Sequence, residues 1–565
     1  MCCPPQLVWL LLLISIGFSR SVTFIGDDPV VQLSLGKIQG GTMQSFKGKT
    51  IYAFRGIRYA QPPVGQLRFA NPLPETSWGD EVLKATSDSL VCPQPGITLF
   101  MSEDCLKLNV FTKNFDASNL LPVIVYIHGG ANVLGSGHSV YEAGPQYLLD
   151  YDVVFVAFNY RLGALGFLST NSSETKGNFG FLDQVMALEW IREHISHFGG
   201  DPELVTILGM SAGSMAVSLH LASPLSTGLF HRAILMSGSA TNHFHIDNLF
   251  WTRKLARELG CPMYNPNDVV ECLRNETWAR IVEVCKAWET YQFVNMKWNY
   301  EIDGNFLPGH PTELIEKGNF NKVPLLISFT ANELDYTANV HLGNEHLLHD
   351  LGLNFVDYAP ELFLYSQNTV IGQCLKDFYL GNISEISSEN VEEFGRIFSD
   401  GIIGHGVHRL VQLARHFTPV YYMRTDYVGD RSISAPVNEE NKALGVGHAD
   451  DLQYVMPGLW YGTMMAEDHL DIFMVERLTS WFTHFAKTGT PLNTTDIWPP
   501  CNSSDLKMLY NGVVTQVGSP GFTDRYAVWD ELFPTPARSG GAPWKLSFAI
   551  AVATGVASRL SGKLM

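Results

Sequence analysis

The chain has 565 residues and a formal net charge of −18, with 46% hydrophobic and 17% charged residues. This composition is that of a globular protein and excludes a disordered or fibrous one. Because an acidic surface repels phosphate, we do not expect nucleic-acid binding or docking on anionic lipid.

Residues 1–20 are predicted to be a signal peptide. Residues 7–16 form an apolar run, and the small residues Gly17 and Ser19 follow at positions suited to cleavage. About ten apolar residues are too few to span a bilayer. No positive charge precedes the run, so a signal anchor is the competing interpretation. We expect a secreted, extracellular protein whose mature chain begins near Arg20 or Ser21.

In a secreted protein, cysteines can form disulfides and N-x-S/T sequons can be glycosylated. Removing the leader discards Cys2 and Cys3 and leaves an odd number of cysteines. In an oxidising compartment, two close pairs are spaced as small disulfide loops: Cys92–Cys105 and Cys261–Cys272. The pairing of the others stays open: Cys285, Cys374 and Cys501. Five N-x-S/T sequons are candidate glycosylation sites: Asn171, Asn275, Asn382, Asn493 and Asn502.

Continuous apolar runs of strand length predict a parallel sheet. They lie at residues 123–128, 153–159, 205–208, 233–236 and 324–329. Runs without alternation favour strands that are buried on both faces. Helical patterns lie between them, for example at 181–195 and 250–259. The alternation predicts an α/β fold with crossover connections, and the absence of a linker predicts one catalytic domain at residues 21–535.

A glycine-containing loop follows the first of these runs. Gly129 and Gly130 allow backbone N–H groups to face a substrate carbonyl, as in an oxyanion hole. A plain β-turn is the alternative interpretation.

A nucleophile elbow is predicted at residues 209–213. Ser211 lies in a G-x-S-x-G motif that follows a strand run and precedes a helical pattern. Its flanking glycines allow the close packing that such a turn requires. The N–H of Ala212 would be a further oxyanion donor. The motif in this setting predicts an α/β-hydrolase fold, in which a mostly parallel central sheet is covered by helices on both faces.

The acid and the base should follow the nucleophile in the chain. His448 lies in a glycine-rich loop, a type of segment that often carries catalytic side chains. Glu333 and Asp335 both follow the strand run at 324–329, and spacing alone does not separate them.

Residues 536–565 form a basic and apolar tail. Residues 546–557 are small and apolar but too few to cross a bilayer. We interpret the tail as a frayed or interfacial helix rather than a lipid-anchor signal, so membrane contact through it is the minor alternative.

Several motifs resemble the type-B carboxylesterase/cholinesterase family, and secreted insect carboxylesterases in particular. They extend over nearly the whole chain after the leader, at residues 54–57, 62–65, 102–110, 159–163, 178–184 and 198–202. The resemblance implies that the acid is the Glu of a D-E-G segment, which falls on Glu333. It therefore implies a triad and an oxyanion hole: Ser211, Glu333 and His448, with Gly129, Gly130 and Ala212. It also implies the two disulfides Cys92–Cys105 and Cys261–Cys272.

Three departures from the family pattern bear on substrate and activity. Met210 replaces the usual Glu before the nucleophile, so a buried carboxylate near the triad is missing. Asn132 stands where the oxyanion loop usually continues with glycine or an aromatic residue, which affects substrate fit. The 92–105 loop has no Trp to hold a quaternary ammonium group, so choline esters are not expected.

The sequence therefore predicts a serine carboxylesterase that hydrolyses small ester substrates through an acyl-enzyme. This chemistry needs no metal or organic cofactor, and the spacing of His243 and His245 supplies too few ligands for a metal site. An inactive adhesion or binding protein on the same scaffold is the alternative from another class. A lipase is the alternative within the enzymes.

Overall fold

The computed structural model describes residues 23–535, except residues 27, 97–99, 174, 289–295, 336–344, 382, 384–385, 387–389 and 433–444. The predicted signal peptide, the C-terminal tail and the sequon at Asn382 lie outside the described residues.

An eleven-stranded sheet forms the centre of the molecule, in the order β15-β14-β13-β12-β11-β10-β8-β9-β7-β5-β4. Strands β8 to β14 run parallel to one another, and the outer strands are antiparallel. The strands are β4 (Gly41–Gln44), β5 (Thr50–Arg58), β7 (Lys107–Thr112), β8 (Leu121–Ile127), β9 (Val154–Phe158), β10 (Gly200–Met210), β11 (Arg232–Met236), β12 (Leu325–Thr330), β13 (Val420–Thr425), β14 (Met508–Asn511) and β15 (Thr515–Gly518).

A second, four-stranded sheet lies near the N-terminus of the described chain. It pairs β1 (Thr23–Ile25), β2 (Asp28–Leu33), β3 (Gly36–Gln39) and β6 (Leu83–Lys84). These strands are short, and the sequence did not predict them.

Helices cover both faces of the central sheet. They are α1 (Gly163–Phe167), α2 (Phe179–His194), α3 (Ala212–Ala222), α4 (Asn248–Glu258), α5 (Pro266–Asn275), α6 (Trp278–Lys286), α7 (Pro311–Glu316), α8 (Glu345–Leu362), α9 (Thr369–Tyr379), α10 (Val391–Phe398), α11 (His405–Ala414), α12 (Ile472–Thr488) and α13 (Thr523–Leu532). Helix α3 packs on β10 and β11, and α12 packs on β8 and β10.

Two hydrophobic cores explain why the central strands are apolar throughout. Ile207 of β10 joins the core that contains α3, and its neighbour Leu208 joins the core that contains α12. Because successive side chains of a strand point to opposite faces, a strand between two cores is apolar at every position. The predicted α/β-hydrolase fold, with a mostly parallel sheet and helices on both faces, is confirmed.

A buried ion pair connects the end of β9 to α2. The Arg161 Nε and Nη2 atoms donate to the two carboxylate oxygens of Asp183, at 2.8 and 2.7 Å. Both side chains are almost fully buried. This bidentate geometry holds the guanidinium and the carboxylate in a fixed relative orientation and makes their contact strong. It gives the Asn-Tyr-Arg segment a structural role.

Both predicted disulfides are present, Cys92–Cys105 and Cys261–Cys272. The cysteines left open by the sequence have free thiols: Cys285, Cys374 and Cys501. The four sequon asparagines that the structure describes are all exposed: Asn171, Asn275, Asn493 and Asn502. Among the described residues, none of the helices combines the length and the apolar character that a bilayer span requires.

Candidate active site

Ser211 occupies the sharp turn between β10 and α3. Its backbone is in an unusual conformation, with φ 58° and ψ −124°, and its N–H donates to the Met236 carbonyl at 2.8 Å. A Cβ atom at Gly209 would lie 2.2 Å from the Gly213 carbonyl oxygen, and one at Gly213 would lie 2.0 Å from that of Ile127. Only glycine fits at either position. Such strain is concentrated at functional sites, where surrounding structure maintains it.

The loop after β8 packs directly against this turn. Three consecutive residues have positive φ: Gly130 (96°), Ala131 (55°) and Asn132 (61°). A Cβ atom at Gly129 would lie 2.6 Å from the Met210 carbonyl oxygen and 3.1 Å from Ser211 Cβ. The predicted oxyanion loop therefore lies beside the serine.

A buried carboxyl group, Glu142, supports the same loop. The Ser136 N–H donates to its Oε2 at 2.9 Å, and the Tyr126 hydroxyl donates to its Oε1 at 3.1 Å. Burial raises the pKa of Glu142 to about 8. Hydrogen bonds to the carboxyl group, including one from the Gly129 N–H, oppose this shift. The Gly129 N–H thus faces a protein carboxyl group. No motif or spacing in the sequence indicates this role of Glu142.

Glu333 and His448 are joined by two hydrogen bonds. The His448 Nδ1 lies 2.6 Å from Glu333 Oε2, and the His448 backbone N–H donates to the Glu333 carbonyl at 2.7 Å. The other carboxylate oxygen of Glu333 accepts from the Thr330 N–H at 2.8 Å. Glu333 is 1% exposed. The carboxylate is therefore held in one orientation and fixes the imidazole through Nδ1, leaving Nε2 free to move a proton.

Asp335, the other carboxylate that spacing allowed, has different partners. Its Oδ1 accepts from the Ser399 hydroxyl, and its Oδ2 accepts from Asn332 Nδ2 at 2.8 Å. The Ser399 hydroxyl in turn accepts from the Leu334 N–H at 2.7 Å. Ser399 begins a π-helical turn, Ser399–Gly404. Asp335 thus anchors the loop that carries Glu333.

The acid loop and the histidine loop are also connected through Asn332. Its N–H donates to the Val446 carbonyl at 3.0 Å, and its Oδ1 accepts from the Val446 N–H at 3.3 Å. A Cβ atom at Gly445 would lie 2.0 Å from the Asn332 Oδ1, and Gly445 has φ 109°. The glycine in the histidine loop is therefore required for this contact.

Ser211 and Glu333 lie at the carboxyl ends of β10 and β12, with β11 between them. Neighbouring strands are about 4.8 Å apart, so these ends are separated by roughly 10 Å, a gap that an imidazole can bridge. In the part of the chain that the structure describes, no hydrogen bond joins the Ser211 hydroxyl to His448. Such contacts commonly tighten only when substrate binds.

A buried carboxyl group near the histidine exists, although Met210 does not supply it. Asp451 is fully buried, and its pKa is raised to about 7 by burial and by the negative charge of Glu333. The carboxylate of the position before the nucleophile is therefore absent, as Met210 indicates, and a different buried carboxyl group lies near the histidine. Sequence reasoning missed Asp451 because its position three residues after His448 does not reveal that its side chain is buried.

Comparison with known proteins identifies the family. The profile described as the carboxylesterase family matches residues 27–529. Esterase FE4 of Myzus persicae is 35% identical over 518 residues, which cover 87% of this chain and 90% of that protein. Juvenile hormone esterase of Tribolium castaneum is 34% identical, and the match covers 86% of this chain and 88% of that protein.

A solved structure is similar over the same extent. The crystal structure of juvenile hormone esterase from Manduca sexta, with OTFP covalently attached, matches with a TM-score of 0.79 and 28% sequence identity. The match covers 88% of this chain and 98% of that one. The chain belongs to the carboxylesterase family, and it is a carboxylic ester hydrolase with the α/β-hydrolase fold.

Proposed function

We propose that this protein is a serine carboxylesterase that hydrolyses small-molecule esters through a covalent acyl-enzyme. Ser211 is the nucleophile, His448 is the general base, and Glu333 orients the histidine. The observations that support this assignment most strongly are the strained turn at Ser211 and the carboxylate-bound imidazole of His448. Both lie at the same edge of the sheet.

The chemistry proceeds in two steps. His448 Nε2 takes the proton of the Ser211 hydroxyl as the oxygen attacks the ester carbonyl, and then returns that proton to the leaving alcohol. A water molecule, deprotonated by the same imidazole, next attacks the acyl-enzyme and releases the acid. The Glu333 carboxylate stabilises the imidazolium that forms in each step.

We place the oxyanion donors at three backbone N–H groups. Gly130 and Ala212 are retained from the sequence prediction. Because the Gly129 N–H faces the Glu142 carboxyl group, Ala131 replaces it as the third donor. Ala131 belongs to the same positive-φ turn as Gly130, and Ala212 begins α3, whose N-terminal end favours a developing negative charge. One such donor contributes about 3 kcal/mol to transition-state stabilisation.

The direct test is hydrolysis of a short naphthyl or nitrophenyl ester. Ser211→Ala should lower kcat by at least about 10³-fold, because only the oxyanion donors and binding remain. Ser214→Ala is the matched control: it removes a buried hydroxyl of the same helix, one that donates to the Gly238 carbonyl at 2.7 Å. That variant should keep most of the activity. Equal activity of Ser211→Ala and wild type would contradict the assignment.

We also propose that the protein is secreted, with a signal peptide at residues 1–20, a catalytic domain at 21–535 and a tail at 536–565. The two disulfides and the exposed sequon asparagines support this. Expression in a eukaryotic secretory host should give an N-terminus near Arg20 or Ser21 and a mass that falls on treatment with an N-glycosidase. A retained leader together with an unchanged mass would contradict it.

A further inference from the structure

A cavity of about 450 Å³ lies among the helices. Its walls come from the segment after β11, the start of α7, the segment before α9, α11 and the chain after α13. Ser211, Glu333 and His448 are not among the described residues that line it. Ligand sites commonly have volumes of about 300–1,000 Å³, so this space can hold a small organic molecule.

Four buried polar atoms in the cavity wall have no hydrogen-bond partner among the described residues. They are His243 Nδ1, His310 Nδ1, Thr312 Oγ1 and Tyr365 Oη. Thr312 is 1% exposed and Tyr365 is 6% exposed. Buried polar groups are nearly always paired, so a cluster of unpaired ones around one space requires an explanation. These atoms have almost no accessible surface as the side chains stand, so a ligand in the cavity would pair with them after the side chains turn toward it.

The polar groups of the wall include both acceptors and donors. His243 Nε2 lies 2.8 Å from the Phe363 carbonyl, so this nitrogen carries the proton and Nδ1 is an acceptor. Burial lowers the pKa of His243 well below its usual value, which keeps the ring neutral. Burial raises the pKa of Tyr365, so its hydroxyl remains a donor. A hydroxyl group on a ligand can donate to His243 Nδ1 and accept from the Tyr365 hydroxyl.

The wall does not select for a charged ligand. No carboxylate side chain lies among the described residues that line the cavity. The one guanidinium, that of Arg409, already donates to Asp530 Oδ1 at 2.7 and 3.0 Å and to the Phe533 carbonyl at 2.6 Å. Burial also lowers the pKa of His310. His243 and His310 are therefore neutral, and the Arg409 guanidinium is paired.

The apolar part of the lining comes from Phe244, Ile371, Phe533 and Pro534, and the lining also includes the polar residues Asn242, His245, Ser366, Gln367 and Asn368. The His243 ring stacks on Phe533 with ring centroids 4.2 Å apart, and on Trp529 at 5.1 Å. We propose that this cavity is a second ligand site, separate from the catalytic centre, which binds a neutral, mainly apolar alcohol. The apolar body packs on the aromatic wall, and the hydroxyl pairs with His243, Thr312 and Tyr365.

The test compares three ligands of one shape on the full-length Ser211→Ala protein: 2-naphthol, 2-naphthoate and naphthalene. Titration calorimetry should show that 2-naphthol binds at least about tenfold more tightly than either of the others. Tighter binding of 2-naphthoate would show an anion site and overturn the proposal. The absence of measurable 2-naphthol binding would overturn it as well.

Two cavity variants distinguish this site from the catalytic one. Thr312→Val with Tyr365→Phe removes two hydroxyls at nearly constant volume and should weaken 2-naphthol binding at least about tenfold. Ile371→Trp fills the space without removing a polar group and should also weaken binding; it replaces the first variant if that one does not fold. In the wild-type background, both should keep ester hydrolysis within about twofold. Unchanged 2-naphthol affinity in a folded variant would overturn the proposal.

The binding does not depend on Ser211 acting as a nucleophile. Loss of hydrolysis in Ser211→Ala with retained 2-naphthol binding supports both proposals. Retained hydrolysis in that variant would contradict the proposed mechanism and leave this test unaffected.

Discussion

Glu333 and Asp335 are carboxylates two positions apart, yet they have different neighbours. Glu333 accepts from His448, and Asp335 accepts from Ser399 and Asn332. The contact of Glu333 places a carboxylate beside the proposed base, His448. The contacts of Asp335 hold the loop that carries Glu333. Substitution by the amide at each position should therefore affect different properties.

We expect Glu333→Gln to lower kcat/KM for a nitrophenyl ester by about 10³–10⁴-fold, because the amide favours the wrong imidazole tautomer. Asp335→Asn should lower it by less than about tenfold and should instead reduce stability by about 1–3 kcal/mol, since an amide cannot accept at both positions. Steady-state kinetics and urea unfolding of both variants check this. A larger kinetic loss at Asp335 than at Glu333 would reverse the two roles.

The sequence predicts the central strands but not which of the two carboxylates contacts the histidine. The strands were predictable because a strand that is buried on both faces is apolar at every position. The choice between Glu333 and Asp335 could be made only by resemblance to a family. In the structure, the two carboxylates differ because the Ser399 hydroxyl donates to Asp335. Ser399 lies more than sixty residues later in the chain, so the sequence around Asp335 does not reveal this contact. The burial of Asp451 likewise depends on tertiary packing.

The turn between β10 and α3 depends on backbone proximity. A Cβ atom at Gly213 would lie 2.0 Å from the Ile127 carbonyl oxygen, a main-chain atom of a central strand that cannot move aside cheaply. By contrast, a Cβ atom at Gly521 would meet nothing within 4 Å.

Gly213→Ala should therefore cost about 3 kcal/mol or more of unfolding free energy, although alanine is the better helix former. Gly521→Ala should change the unfolding free energy by less than about 0.5 kcal/mol. Urea denaturation of the two variants measures the difference. Similar small effects at both positions would mean that α3 can move away from β8.

The loops at the sheet edge are coupled to one another as elements. The acid loop contacts the histidine loop through Asn332 and Val446, and it contacts the π-helical turn through Ser399. The oxyanion loop packs on the serine turn. Because β8, β10, β11 and β12 are adjacent, these loops meet at one edge although they are distant in sequence. The short strands of the N-terminal sheet left no comparable pattern, so they were not predicted.

At the scale of the whole molecule, buried carboxyl groups make folding depend on pH. Burial raises the pKa of Glu142 from 4.5 to about 8. Between these values the folded state keeps a proton that the unfolded state has released. Stability from this group is therefore present below the unfolded pKa and is lost as the pH rises through the folded one. Asp451, with a pKa raised to about 7, acts in the same direction.

We expect Glu142→Gln to flatten this loss between about pH 5 and about pH 9, because an amide does not ionise. Urea unfolding at several pH values, with wild type and the exposed-site control Glu189→Gln run in parallel, measures the effect. The control should follow wild type, and the Glu142→Gln curve should converge with or cross theirs as the pH rises. Three parallel curves would show that Glu142 is not buried in its neutral form.

In the proposed mechanism, ester hydrolysis passes through an acyl group on Ser211. The most direct measurement is rapid acid quenching of the wild-type protein during turnover of 4-nitrophenyl acetate, followed by peptide mass spectrometry. We predict one acetyl group on the peptide that contains Ser211, located at that serine and absent from Ser211→Ala. Acetylation at another residue, or turnover by Ser211→Ala at the wild-type rate, would contradict the mechanism.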